Sequence, residues 1–217
     1  MNGGTEPGLS SGARRAYGIA IIVAPVLMLL STIAFITEGE GINEGVVGGT
    51  IGVWTAVAFV IAFIGIGRML EPRSPRWGLA VTLLASVGFT TGVAFNVDAV
   101  FVGLIGPELD TAIDEAIDAG GTNLVGIFAF IPGGWFAPVS MVVAGIALWR
   151  SQIVPRWTGA LLIVGGVLFV ISRPERIDAL AIVSDVVIIA ALIPVGLAML
   201  GVGSESAGTR RAVPDAG

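Results

Sequence analysis

The sequence predicts an all-α fold: a polytopic membrane helix bundle of six transmembrane helices, making one integral membrane domain of residues 1–217. Three observations predict it. Apolar runs of about twenty residues recur along the chain, each long enough to cross about 30 Å of hydrocarbon at 1.5 Å per residue. Charged residues are only 12% of the 217 against 55% hydrophobic, they collect in the breaks between runs, and the mean hydropathy is +0.95. A soluble domain carries about 25% charged residues. Finally, the basic residues concentrate in alternate breaks. In lipid the backbone must satisfy its own hydrogen bonds, so such runs are helices unless they close into a barrel. Barrel strands would alternate over about ten residues, and these do not.

The runs cover residues 16–36, 46–68, 77–97, 124–149, 157–172 and 177–202. The first begins after Arg14 and Arg15 and is too long for a typical signal core, with no small-x-small cleavage site before the acidic break, so it reads as a retained helix. The breaks "TEGEGINEG", "EPRSP", "GPELDTAIDEAIDAGGTN", "RSQIVP" and "RPER" hold the expected turn and helix-stop residues. The fifth run is the shortest. Pro25, Pro138 and Pro194 fall inside runs, where each removes a backbone hydrogen bond and can kink its helix. Residues 1–13 and 204–217 read as disordered tails.

Orientation follows from arginine, because there is no lysine. Arg14 and Arg15, then Arg68, Arg73 and Arg76, then Arg150 and Arg156, and last Arg210 and Arg211 all fall on one side of a six-span chain. That side is expected to be cytoplasmic, which puts the protein in the cell membrane as a multi-pass chain with both termini inside. The first two opposite breaks carry only acids, and Arg173 and Arg176 alone break the pattern.

The missing residue types exclude much chemistry. Without histidine there is no imidazole ligand to haem or zinc and no Ser-His-Asp triad. Without cysteine there is no thiolate nucleophile, disulfide or iron–sulfur cluster. Without lysine there is no Schiff base of the retinal type and no Walker A site. No cofactor or metal site is expected, and a net charge of −5 leaves no nucleic-acid footprint. In "ELDTAIDEAID", Asp110, Asp114 and Asp118 share one helical face, and Leu109, Ile113, Ala116 and Ile117 lie on another. That pattern fits the wet face of an interfacial helix better than a cation site. Gly48/Gly52 and Gly88/Gly92 are small-xxx-small pairs suited to close helix packing.

Asp185 is the only carboxylate well inside a run. An acid at that depth costs a few kcal/mol and faces a bundle interior or cavity. Its candidate partners are Thr90, Thr91 and Asn96 on the third run, or Arg173 reaching down from the fifth. At the outer rim, Arg173 or Arg176 is expected to pair with Asp98 or Asp178.

The last two aspartates belong to a repeat. "PRWGLAVTLLASVGFTTGVAFNVDAV" from Pro75 and "PRWTGALLIVGGVLFVISRPERIDAL" from Pro155 agree at eight of 26 positions: the three of "PRW", Ala80/Ala160, Val87/Val167, Phe89/Phe169, Asp98/Asp178 and Ala99/Ala179. Proline suits a helix start, and arginine with tryptophan anchors an interface. From Trp77 to Asp98 a helix rises about 31 Å, so each copy reads as a membrane ruler with an inner anchor and an aspartate as outer stop. The preceding "GVWTAVAFVIAFIGIGR" and "GGWFAPVSMVVAGIALWR" correspond loosely. The unit is then a two-helix hairpin repeated in parallel, unlike the inverted repeats of many transporters.

Within the second copy, Arg150, Ser151, Pro155, Arg156, Gly159, Leu161, Leu162 and Gly166 fit a turn of the form "R-S-x-x-x-P-R-x-x-G-x-L-L-x-x-x-G". Over residues 150–166 the chain resembles a group of small prokaryotic six-helix integral membrane proteins, grouped as a domain of unknown function. The resemblance implies a helical membrane protein and carries no activity or functional residues. Three readings follow. The first is a non-enzymatic membrane component, with the bilayer as its environment and a membrane-protein partner or homo-oligomer as its assembly. The second is a small transporter or channel with a polar site around Asp185. The third, an intramembrane enzyme, lacks a second acid on the helix of Asp185.

Overall fold

The structure, a computed structural model, describes residues 9–38, 45–106, 124–173 and 176–201, the single positions Glu108, Thr111 and Glu115, and only the backbone over 124–133. The described residues form six helices: α1 (Ser11–Glu38), α2 (Val46–Leu70), α3 (Pro75–Ile105), α4 (Leu124–Ser151), α5 (Arg156–Ser172) and α6 (Asp178–Leu200). Four of them, α1, α2, α3 and α6, are long and apolar enough to cross a membrane. α5 has 17 residues, about 26 Å of rise.

Successive helices run antiparallel and pack on their neighbours in sequence, and α6 closes on α1, so the bundle is a ring. One end gathers the arginines: Arg14 Nη2 donates to the Met199 carbonyl (3.3 Å), Arg73 Nη1 to the Ser151 carbonyl (3.3 Å), and Arg150 stands over the Trp77 ring at 5.7 Å. The opposite end is tied by Glu38, whose carboxylate accepts from the backbone N–H groups of Val47 (2.8 Å) and Gly48 (3.2 Å) at the start of α2. An acid there offsets the positive end of the helix dipole.

The faces of α1 explain how such a bundle packs. Ile19, Val23, Val26, Leu30 and Ile33 are exposed, while Gly18, Ile21, Ala24, Met28, Ser31, Thr32 and Phe35 are buried. Both sides are apolar, and the smaller and polar residues face inward. Leu79, Leu83 and Val87 on α3, Val164, Val167 and Ile171 on α5, and Val183 and Val186 on α6 are exposed in the same manner. A surface of contiguous aliphatic stripes belongs against hydrocarbon.

Close approach depends on glycine. A Cβ on Gly67 would lie 2.8 Å from the Gly78 carbonyl, and one on Gly78 2.6 Å from that of Gly67; Gly145 and Gly159 face each other likewise, at 2.6 and 2.5 Å. Each pair sits beside the turn that joins its two helices, α2–α3 and α4–α5. Gly48 packs on Phe35, Gly52 on Asn96 and Gly88 on the backbone of Phe136 and Ala137, but a Cβ on Gly92 would meet nothing within 4 Å. Three of the four small-xxx-small glycines therefore pack helices, and the fourth borders open space.

Two expectations change. α3 continues to Ile105, well past residue 97, so Asp98 lies within the helix and is not its outer stop. The run from Asp98 to Ile105 is almost wholly apolar, and nothing in it breaks a helix before Gly106, which has φ 99°. The two "PRW" motifs also start differently, since Pro75 is the first residue of α3 whereas Pro155 precedes α5. Residues 11–13 of the expected tail are helical. The remainder of that tail through residue 8, the tail 204–217, Arg210, Arg211 and most of the acidic 108–118 segment lie outside the described residues.

Candidate functional site

The polar interior is built where α1, α5 and α6 meet near the arginine-poor end. Asp185 lies seven residues into α6 and Thr32 six residues before the end of α1, depths of about 10 and 9 Å from the same end. Both are completely buried. Arg173, just past the end of α5, bends inward over them with its side chain 14% exposed. Its Nη2 donates to Asp185 Oδ1 (3.1 Å) and Oδ2 (3.2 Å) and to Thr32 Oγ1 (2.8 Å). The Thr32 hydroxyl lies 2.5 Å from Asp185 Oδ2, to which it donates, and 3.1 Å from the Met28 carbonyl. Three helices thus converge on one carboxylate. Arg173 also stacks on Phe169, 5.1 Å from the ring centre, and its Nε is buried without a hydrogen-bond partner. Next to Asp185, Ser184 Oγ donates to the Gly165 carbonyl (3.1 Å), pinning α6 to α5. Ser31, next to Thr32, does the same between α1 and α2, donating to the Gly48 carbonyl (2.7 Å).

Of the partners considered for Asp185, the structure brings Arg173 to it and leaves the residues of α3 elsewhere. Thr90 is exposed on the outside of the ring. Thr91 returns its hydroxyl to the Val87 (2.8 Å) and Gly88 (3.0 Å) carbonyls of its own helix. Asn96 donates to the Gly92 carbonyl (2.8 Å) and packs against Gly52 of α2. Near the rim, Arg173 forms an ion pair with Asp185. Asp178 heads α6, where it suits the helix dipole, with Oδ1 buried and unpartnered. Arg176 takes a left-handed conformation (φ 50°) in the turn.

Thr32 is the member that sequence reasoning missed. A signal existed: Ser31-Thr32 is the only adjacent pair of hydroxyls within the first run, one turn and a half from its end. What was lacking was the closure of α6 onto α1, which makes that depth on α1 a neighbour of Asp185.

Beside the ion pair a cavity of about 420 Å³ opens inside the same half of the ring, lined from α1 to α5. Its walls are aromatic: Phe35, Phe59, Phe89, Phe95, Trp135 and Phe169. The polar groups along it include Asn96, Asp98, Arg173 and Arg176, while Asp185 is not among the lining residues. The floor is the stack of Phe59 on Phe89, centroids 4.7 Å apart and planes 9° from parallel, with Phe63 packed against Phe89 at 5.3 Å. Beneath it Ile66, Leu70, Val81, Met141, Leu148 and Leu162 are all fully buried, so packed side chains fill the arginine-rich half of the ring.

Fold and site together define a class: an all-helical protein with helices compatible with a multi-pass membrane chain, a buried ion pair, and an aromatic cavity confined to one half. Comparison of the chain with protein-family models, with characterised proteins and with solved structures gives no match.

Proposed function

We propose that this chain is a six-span integral protein of the cell membrane, with both termini in the cytoplasm, that acts as a non-enzymatic membrane component. It would work through binding to a membrane-protein partner or to a second copy. One observation carries the reading: Asp185, the one fully buried carboxylate among the described residues, is committed to Arg173 and Thr32. A proton relay or ion path needs such a group to face water on at least one side, whereas this one joins three helices. The filled half of the ring supports the same view against a transporter. The gathering of Arg14, Arg73 and Arg150 at one end supports the orientation. The resemblance over residues 150–166 points to the same prokaryotic six-helix group.

Topology and inertness are tested separately. Since the chain has no cysteine, Ser74→Cys in intact cells should resist an impermeant thiol reagent and Asn43→Cys should react. Labelling of Ser74→Cys would overturn the orientation. Proteoliposomes should show no ion flux that depends on Asp185, and a flux abolished by Asp185→Asn would overturn the non-transport reading.

A further inference from the structure

We propose that the aromatic cavity is a binding site for a single-chain amphiphile with a carboxylate head, a free fatty acid being the simplest case. The inference goes beyond a membrane component as such, though it rests on the arginine-poor end being the outer one only for the route of entry. The lining is graded. Deep in the ring it is Met28, Ala56, Phe59 and Phe89, all nearly fully buried, and near the open end come Asp98, Arg173 and Arg176. A pocket with an apolar body and a few polar groups at one side selects a ligand of the same build. A cavity of about 420 Å³ is within the range of small-molecule sites, about 300–1,000 Å³.

The head is read from the guanidinium groups among the described lining residues, those of Arg173 and Arg176. Asp185, which balances Arg173, stands behind it and does not line the cavity. Arg173 is also held in place, by Asp185, Thr32 and the Phe169 ring, so its position does not have to be ordered when a ligand binds. A guanidinium fork suits a carboxylate better than it suits a hydroxyl or an ammonium group. The space itself is left by glycine. A Cβ on Gly92 would meet nothing within 4 Å, and one on Gly134 would find only Phe95 Cζ, at 3.9 Å. Larger residues would fit the backbone at both positions, and either would occupy the cavity.

The test uses the full chain in nanodiscs of zwitterionic phosphatidylcholine, with bromine-labelled dodecanoate as probe and the tryptophan fluorescence of Trp135, a lining residue, as readout. Trp54, Trp77, Trp149 and Trp157 are replaced by phenylalanine so that Trp135 alone reports. Dodecanoate should quench Trp135 saturably, and unlabelled dodecanoate should reverse it. The bromine-labelled alcohol and ammonium of the same chain length should give only the linear quenching of bilayer partitioning. Gly92→Leu should abolish the saturable part while leaving the thermal transition no lower than in the parent. Arg176→Gln, which leaves the buried ion pair intact, should weaken dodecanoate about tenfold, the equivalent of about 1.4 kcal/mol. Saturable quenching by the ammonium probe as strong as by dodecanoate would overturn the choice of headgroup. So would dodecanoate binding unchanged in folded Gly92→Leu overturn the location, and a tightly retained phospholipid that dodecanoate cannot displace would assign the space to bilayer lipid. None of these outcomes depends on the cysteine-labelling result, so the site and the topology can fail independently.

Discussion

Removing one partner of the buried ion pair should cost more than removing both. Arg173 Nη2 lies 3.1 Å from Asp185 Oδ1, and at an effective dielectric of about 20 two unit charges at that distance attract by about 5 kcal/mol. Desolvation of both groups offsets much of this, so a hydrophobic pair of similar volume is close to neutral, whereas an orphaned buried charge loses about 3–5 kcal/mol. The two single changes are not equivalent. Arg173→Met strands a carboxylate that is wholly buried and keeps only the Thr32 hydroxyl. In Asp185→Leu the guanidinium is already 14% exposed at the end of α5 and can turn outward. The expected order of stability is therefore wild type and the double variant Arg173→Met/Asp185→Leu together at the top, Asp185→Leu below, and Arg173→Met lowest. Thr32→Val removes one bond to each partner and should lose about 1–2 kcal/mol. Equilibrium unfolding of all five proteins in one detergent, followed by near-ultraviolet circular dichroism, gives the cycle. A coupling energy under about 0.5 kcal/mol, the level of independent sites, would refute the claim that this pair ties α1, α5 and α6 together.

Two further changes follow from the backbone. Gly88→Ala would set a Cβ against the backbone nitrogen of Ala137, so α3 and α4 must separate; a loss of about 1–3 kcal/mol should appear in thermal unfolding, while Gly92→Ala, which meets nothing within 4 Å, serves as the matched control and should be neutral or better. Gln152 is exposed in the α4–α5 turn with φ 53°, a conformation that costs a side chain about 1–2 kcal/mol; after the added chain entropy of glycine in the unfolded state, Gln152→Gly should gain about 0.5–1 kcal/mol, and a loss of stability would show that its side chain contributes more than its backbone.

The sequence by itself determined the helical character, the order of the runs and the end of the bundle at which the arginines collect. These follow from run length and from where the few charges fall, and both are local properties. It also singled out Asp185 and offered Arg173 as one of its partners. It did not choose between Arg173 and the polar residues of α3, and it did not find Thr32. The reason is physical. A helix in lipid is apolar on both faces, as α1 is with Ile19 and Val23 outside and Ile21 and Ala24 inside, so no amphipathic stripe says which way a residue points. Which side chains meet depends on the rotation of each helix about its axis and on its neighbours, and here on α6 closing against α1. The same holds for the cavity. Gly88 and Gly92 lie one turn apart in the same sequence pattern, yet one is pressed against Ala137 and the other faces open space, because only the lateral packing of α3 against α2 and α4 decides where the ring is filled and where it is hollow.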